Sequence, residues 1–432
     1  MEMGFIRVPK ISNLHLWLAR RPTSSARALT LASVLPADKV AKEKFNDLLG
    51  LSLIGKQPYR LLYLADPDRE VIKKVINELL VKDPEQIITV DPMAGGGSIP
   101  LESLRLGFKT IAIDYNPVAY LILKATLEYP AKYGEKLYDS VKTEAEALIE
   151  YAERELSRYY AEDAYNYIIA RGFHCPSCGG LVPVIHRTRL RKKGPYIKFE
   201  IDREKKKFNV TVVDQETEYE RLKCPFCGRP FTRDEFFSQW ISKHKETLKI
   251  ALKGDLEEAE NYRDLISRIH LLLLKQTKKG FGPCNDRDVN KFYQAYLDLV
   301  KQARMLRQYL PSSSIPKENE VFKPIRNLGI EFWYELFNPR QTLVFLKLIK
   351  YISERTRELV NEKGEFGAAI AIYLAFGLDK LLDYNNIATM WDTIYGTIGR
   401  LGDQYAAKKS VSLGLEYCEL VVPLQKKSIG WV

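Results

Sequence analysis

Residues 87–98, Ile87-Ile88-Thr89-Val90-Asp91-Pro92-Met93-Ala94-Gly95-Gly96-Gly97-Ser98, decide how this chain is read. An apolar run, a glycine turn and the start of a helical pattern follow one another, which predicts a strand, a tight turn and a helix N-terminus. Glycine tolerates positive φ and lets backbone approach a ligand closely, while the first turn of a helix presents unpaired N–H groups. A second apolar run, Thr110-Ile111-Ala112-Ile113, then delivers Asp114, 23 positions after Asp91. In nucleotide-binding α/β folds an acid at about that offset ends the second strand and takes the ribose hydroxyls of an adenosine-containing cofactor. A glycine run by itself also suits an ordinary strand-to-helix turn. Asp-Pro-Met stands where a dinucleotide fingerprint would place glycine, and no Gly-Lys-Ser/Thr follows, which argues against a phosphate-cradling P-loop.

The Asp-Pro-Met prefix makes the turn similar to the S-adenosylmethionine loop of amino-methylating DNA methyltransferases, Asp-Pro-Phe-x-Gly-x-Gly. Upstream, Asn13-Leu14-His15-Leu16-Trp17-Leu18-Ala19-Arg20-Arg21-Pro22 leads into a short apolar helix pattern over 26–34; downstream comes Asp114-Tyr115-Asn116-Pro117-Val118-Ala119. Both resemble the adenine-specific DNA methylase family that carries an internal zinc ribbon, which reads Leu-His-Leu-Trp-Trp-Ala-Arg-Arg-Pro and Asp-x-Asn-Pro-Val-Ala at these points. Further echoes lie at Leu336-Phe337-Asn338-Pro339-Arg340-Gln341 and over 379–386.

The resemblance implies an α/β fold: a partial, Rossmann-like class I methyltransferase core with a four-cysteine zinc ribbon and helical insertions. It implies that S-adenosylmethionine is held by Asp91, Pro92, Met93, Ala94, Gly95 and Gly97, by Asp114 at the ribose, by Tyr115 and Asn116 beside it, and by Trp17 and Arg21 at the methionine end. Trp17 also suits a core position, and Asn116-Pro117 also reads as a helix N-cap followed by proline at the first helical position. The implied reaction is methyl transfer to an exocyclic amine, with N6 of adenine in DNA as the target.

In this family catalysis belongs to a later motif, Asp/Asn-Pro-Pro-Tyr/Phe/Trp. No Pro-Pro pair occurs in the 432 residues, and Asn116-Pro117-Val118 and Asn338-Pro339-Arg340 lack the second proline and the aromatic. The chain ends at Trp431-Val432, about where the family continues into its third strand. No catalytic residue is therefore assigned, and the expectation is a cofactor-binding half whose obligate partner, a second polypeptide carrying Asp/Asn-Pro-Pro-Tyr, supplies the target-base pocket and further strands. Three other readings fit the same residues: an RNA methyltransferase of the same core, a non-catalytic zinc-ribbon nucleic-acid-binding or regulatory protein, and a piece of one longer chain.

Four of the six cysteines form two tight pairs, Cys175-Pro176-Ser177-Cys178-Gly179 and Cys224-Pro225-Phe226-Cys227-Gly228. Each Cys-x-x-Cys-Gly turn aims two thiolates at one point, and two such turns make the closed tetrahedral geometry of structural zinc. Six cysteines are too few for a disulfide scaffold at this length, and Cys284 and Cys418 read as packing residues. His174 is expected to face solvent. Between the pairs, Tyr196, Lys198 and Glu200 interleave with Ile197, Phe199 and Ile201, and Phe208, Val210 and Val212 repeat the alternation, which predicts a hairpin. From His186 to Lys207 the chain carries ten Lys/Arg against three Asp/Glu, a candidate phosphate contact or a solvated arm.

The net charge of +11 suits a polyanionic partner such as DNA. No signal-peptide pattern and no 18-residue apolar stretch occurs, so a cytoplasmic protein without a membrane partner is expected. The organisation predicted is a cofactor-core segment over 1–136, a helical connector over 137–172, the zinc ribbon over 173–232, a helical insertion over 233–316 and a helical region returning to the core and the partner interface over 317–432. Within it, helical spacing extends from about Leu137 to Ala170, Pro311-Ser312-Ser313-Ser314-Ile315-Pro316 marks a loop, and Phe332 to Leu382 reads as two helices breaking near Gly364 and Gly367. Glu102 is expected on an exposed helix face or as a hydrogen-bonding partner at the core edge. Arg340 and Gln341 either face DNA or a partner, or belong to a capped helix start.

Overall fold

The computed structural model describes residues 14–17, 20–37, 39–50 and 68–422. Residues 13, 18 and 19 of the Asn13–Pro22 segment and the terminal Trp431-Val432 lie outside them. The chain divides into two compact units, Met1–Lys142 with Glu358–Phe376, and Thr143–Arg357 with Gly377–Val432.

In the first unit, strands β1 (Ile88–Asp91) and β2 (Lys109–Ala112) pair in parallel, with Ile88 opposite Lys109 and Asp91 opposite Ala112. The glycine turn and helix Ser98–Arg105 make the crossover between them. The register brings Asp91 and the segment ending at Asp114 to the same carboxyl edge. The side chains alternate as strands require. Thr89, Asp91, Thr110 and Ala112 are half-buried, with the Thr89 and Thr110 hydroxyls 3.1 Å apart. Ile88, Val90, Ile111 and Ile113 instead stand 62%, 58%, 50% and 51% exposed. Parallel strands normally have both faces covered, so this apolar face is an anomaly in the unit. Helices Thr23–Val34, Lys39–Leu49 and Arg69–Leu80 gather a core of Leu31, Leu48, Leu49, Ile72, Val75 and Ile76, joined by Leu106 and Phe108 from the turn into β2. Asp68 caps the third helix, its carboxylate accepting from the Glu70 and Val71 amides at 2.9 and 3.4 Å.

The second unit contains β3 (Ala164–His174), β4 (Leu181–Val184), β5 (Tyr196–Asp202), β6 (Lys207–Val213), β7 (His270–Thr277), β8 (Gly280–Pro283) and β9 (Glu416–Leu420). Its antiparallel sheet runs in the order β9-β3-β7-β8, with β4 also pairing β3, while β5 and β6 form a separate hairpin. Two expectations need correction here. The helix predicted through Ala170 ends at Leu156, and 164–174 is a strand; the middle of that strand is continuously buried, so the alternation that would have announced it does not show. The stretch 233–316 is likewise not wholly helical. Helices Arg233–Lys253, Leu256–Glu260, Arg263–Ile269 and Asp286–Leu306 are interrupted by β7 and β8, and the run Leu271-Leu272-Leu273-Leu274 fits either period. Residues 311–316 form the expected loop, and helices Pro339–Lys363 and Glu365–Tyr384 break at Gly364, whose φ is 57°. The molecule is mixed α/β, as expected. Its parallel sheet holds two strands among the described residues. No helix among those residues is long and apolar enough to cross a membrane.

Candidate functional site

The glycine turn closes on the second strand. Asp114 accepts from the Gly95 amide through Oδ2 at 2.7 Å and from the Asn116 amide through Oδ1 at 2.8 Å, while the Ala94 amide donates to the Ile113 carbonyl at 2.9 Å. Asp91 accepts from the Met93 amide at 3.2 Å. Each Asp114 oxygen thus has one donor, and a carboxylate oxygen can accept a second. Gly95 and Gly97 have φ of 52° and 79°, in the left-handed region that favours glycine. A Cβ on Gly95 would lie 2.7 Å from the Trp17 indole nitrogen, so the turn also needs the missing side chain. Ser98 Oγ donates to the Arg21 carbonyl at 2.7 Å, tying the upstream segment to the helix start.

The sequence-predicted residues Trp17, Asp91 to Gly97, and Asp114 to Asn116 therefore lie on this one loop system. Trp17 and Asn116 take the packing and capping positions that the sequence also allowed. Trp17 both roofs Gly95 and packs with the buried Ile122, Ala125 and Phe376. Asn116 caps helix Pro117–Leu123, accepting from the Val118 amide at 2.9 Å, with Pro117 at its first position. Tyr115 and Met93 are fully or largely exposed. Arg21 is exposed and meets the loop through its carbonyl; the guanidinium that lies on the turn belongs to Arg20, against Gly96. Glu102 is not on an exposed face but fully buried, bonded to Arg27 at 2.6 Å and Arg105 at 2.9 Å.

The second candidate site is in the other unit. Cys175 follows β3 directly, and the first Cys-x-x-Cys turn joins β3 to β4. The Gly179 and Gly228 amides donate to the Cys175 and Cys224 carbonyls at 2.7 and 2.8 Å, with φ of 71° and 78° at the two glycines. The Sγ atoms of Cys175, Cys178, Cys224 and Cys227 all lie within 4.8 Å of one another, so the four could hold a metal ion such as zinc. Burial disfavours the thiolate at Cys175, yet the Cys178 and Ser177 amides and the neighbouring thiols outweigh it and take its pKa down to about 7. Burial dominates at Cys224, which is pushed up to about 12. His174 is half-buried rather than solvent-facing, and its backbone N–H and carbonyl bond the Gln239 side chain at 2.8 and 3.0 Å.

The predicted hairpin forms from β5 and β6, with Ile197 opposite Val212 and Phe199 opposite Val210. Phe199 packs against Tyr219 and Phe208 at ring-centre distances of 4.5 and 5.9 Å, and Lys206 at the hairpin tip donates to the Cys178 carbonyl at 2.7 Å. Arg187, Arg191, Lys192, Lys193, Lys198, Arg203, Lys205 and Lys207 are exposed, but so are Glu200, Glu204, Asp214, Glu216, Glu218 and Glu220, which makes the ribbon's surface mixed in charge.

Arg340 and Gln341 face neither solvent nor DNA. Arg340 is fully buried, pairs with Glu419 at 2.7 Å and lies over the Tyr160, Tyr167 and Phe292 rings. Gln341 donates to Asn385 at 3.0 Å, and Asn338 donates to Glu419 at 2.8 Å. These residues, singled out by the resemblance, are the polar centre of the second unit's core. Glu419 was not anticipated; the one signal for it is an acid within the otherwise apolar run Tyr417-Cys418-Glu419-Leu420-Val421-Val422. Cys418 is buried beside it as expected, and Cys284 is half-buried.

Residues 5–48 match a family described as a protein of unknown function (DUF1156). The match takes in Trp17, Arg20 and Arg27. No curated protein and no solved structure matches the chain.

Proposed function

We propose that this chain is the cofactor-binding half of a split S-adenosylmethionine-dependent DNA amino-methyltransferase acting at N6 of adenine, completed by a second polypeptide that carries Asp/Asn-Pro-Pro-Tyr. The observation that carries the reading is the closure of the glycine turn on Asp114, at the carboxyl edge of two adjacent parallel strands. Ligands of open α/β sheets bind at that edge. The residues present fit an adenosine-type cofactor: a half-buried carboxylate with spare acceptor capacity at the carboxyl edge of the strands, and the exposed Tyr115 ring beside it.

When bound, S-adenosylmethionine supplies an electrophilic methyl group on its sulfonium. This chain's part would be to bind and orient: Asp114 would accept from the ribose hydroxyls and Tyr115 would stack on the adenine, while the left-handed backbone at Gly95 and Gly97 shapes the turn that closes on Asp114. The target amine is a poor nucleophile, because its lone pair is delocalised into the ring, and its hydrogens need acceptors as nitrogen attacks. Those acceptors belong to the partner's motif. The uncovered face of Ile88, Val90, Ile111 and Ile113, together with the lack of further strands beside β1 and β2 among the described residues, supports such a partner. Full burial of an aliphatic side chain is worth about 1.5–3 kcal/mol, so covering four half-exposed ones contributes on the order of 3–6 kcal/mol. Zinc held by the four cysteines keeps the ribbon folded, and the ribbon's exposed lysines and arginines suit a DNA backbone.

Calorimetric titration of S-adenosylmethionine tests the cofactor assignment. Asp114→Ala removes charge-assisted hydrogen bonds worth about 1.5–3 kcal/mol each, a drop of at least about tenfold in affinity. Unchanged affinity in a variant that melts like the parent defeats the assignment.

A further inference from the structure

Three segments of the second unit meet at Phe281. Its ring lies edge-on to Trp391 at a centre distance of 5.4 Å, and the Arg191 guanidinium stands over it at 5.4 Å. Trp391 belongs to a short antiparallel hairpin in which Met390–Asp392 pairs with Thr397–Gly399, and its indole N–H donates to the Leu190 carbonyl at 2.6 Å. The hairpin tip is Thr393-Ile394-Tyr395-Gly396. Asp392 fixes it: Oδ1 accepts from the Ile394 and Tyr395 amides at 2.7 and 3.2 Å, and the Asp392 carbonyl accepts from the Gly396 amide at 2.8 Å. Gly396 has φ of 63°, and a Cβ there would lie 3.1 Å from Cγ and Nε of Arg191. The arginine side chain therefore lies against bare backbone next to the tip.

A turn so well fixed carries the wrong residues for a merely solvated one. Turns take Gly, Asn, Asp, Ser or Pro for stated physical reasons, whereas Ile394 and Tyr395 are 68% and 80% exposed and add nothing to this unit's core. Beside them Arg191, Lys192 and Lys193 are exposed, as are Lys278 and Lys279 in the turn that leads into Phe281, and none of the five forms an ion pair among the described residues. The one acid in these three stretches, Asp392, is turned in on its own amides. The ribbon's surface taken whole is mixed in charge; this corner is not. We propose that the hairpin tip and its flanking cations are a docking surface for unpaired DNA, a base stacking on the Tyr395 ring and backbone phosphates lying on Arg191, Lys192 and Lys193. A single strand presents a charged backbone and free base faces together, which is the pairing this surface complements, while a duplex hides those faces. One isoleucine and one tyrosine bury too little apolar area to hold a lipid surface. The choice of DNA over RNA rests on the function proposed above; the surface itself is argued from residues outside the glycine loop.

Fluorescence anisotropy tests this with the full chain and a labelled single-stranded DNA oligonucleotide, its duplex and the RNA of the same sequence. The parent should bind the single DNA strand more tightly than either of the others. Tyr395→Ala should weaken that binding roughly 5- to 150-fold, the worth of one stacked base, and Tyr395→Phe should keep it. Lys192→Gln with Lys193→Gln should lower the slope of log K against log salt by about 1.4, since each phosphate contact on a single strand contributes about 0.7. Parent-like affinity in Tyr395→Ala, or a parent-like slope in the double glutamine variant, overturns the proposal. So does a preference for the duplex or the RNA. Binding of the parent to phosphatidylserine vesicles in place of the oligonucleotide would assign the surface to a membrane and also overturn it. S-adenosylmethionine titration of the same proteins keeps the two readings apart: the variants should match the parent, and a parent that binds the strand but no S-adenosylmethionine overturns the cofactor reading alone.

Discussion

Arg340 shows how one side chain can change meaning between sequence and structure. A basic residue at a helix start, next to Gln341, suits a surface contact with DNA as well as a cap, and nothing local distinguishes the two. Its partner Glu419 is 79 positions away, and the pairing depends on tertiary packing that no short motif encodes. Removing one member of a buried ion pair leaves the other charge uncompensated, so Arg340→Met should cost about 3–5 kcal/mol, read as a lower denaturation midpoint with an unchanged slope. Burying this pair raises the arginine's pKa, because the nearby Glu419 carboxylate outweighs the desolvation. The cysteines are the opposite case: two Cys-x-x-Cys-Gly turns state their chemistry locally, and the structure brings the four sulfurs together. Gly95 was also legible, as a turn glycine. That Trp17 is what crowds it was not, since the contact joins residues 78 positions apart. Gly95→Ala should combine left-handed strain of about 1–2 kcal/mol with displacement of the indole. The expected result is loss of nucleoside binding with the second unit's fold intact, checked by calorimetry and circular dichroism.

At the level of elements, legibility followed burial. The β5–β6 hairpin has one face turned to solvent, so its alternation could be read residue by residue. Strand β3 is central and enclosed, so the same alternation was hidden and the segment passed for helix. The four-cysteine cluster hangs from that strand, and a metal held there should be structural. The purified chain should carry one zinc per molecule by elemental analysis, and Cys224→Ser should lose it and lower the melting temperature of the second unit. Metal-free protein with an unaltered melting curve would contradict this. The helix Arg233–Lys253 adds a pH dependence. Burial holds His244 down at about 4 and His270 well below the ordinary histidine value. Both are neutral when folded, whereas the unfolded chain takes up protons near pH 6.5. Stability is therefore full above pH 6.5 and falls as pH drops from there toward 4, by up to about 3 kcal/mol for His244 alone. Denaturation series between pH 7 and pH 4.5 should show that slope, and His244→Gln should reduce it.

The molecule as a whole leaves one structural debt in its first unit. Two parallel strands that pair with no further strand among the described residues, with four aliphatic side chains half in water, favour pairing with another segment or chain. An obligate partner adding strands and covering that face would bury well over ~2,000 Å². Val90→Asp with Ile111→Asp should then abolish co-purification with the partner while leaving the second unit's metal content unchanged. The glycine turn was foreshadowed in the residues around Asp91 and the four-cysteine cluster in its two Cys-x-x-Cys-Gly turns, because each depends on short-range pattern. The buried polar centre was not, because it depends on how distant segments meet. The most direct test of the split-enzyme account is methyl transfer to DNA from labelled S-adenosylmethionine, measured for this chain alone, for the partner carrying Asp/Asn-Pro-Pro-Tyr alone, and for the two together. The account predicts label at adenine N6 only with both chains present. Full transfer by this chain alone, or no transfer by a stable complex of the two, would contradict it.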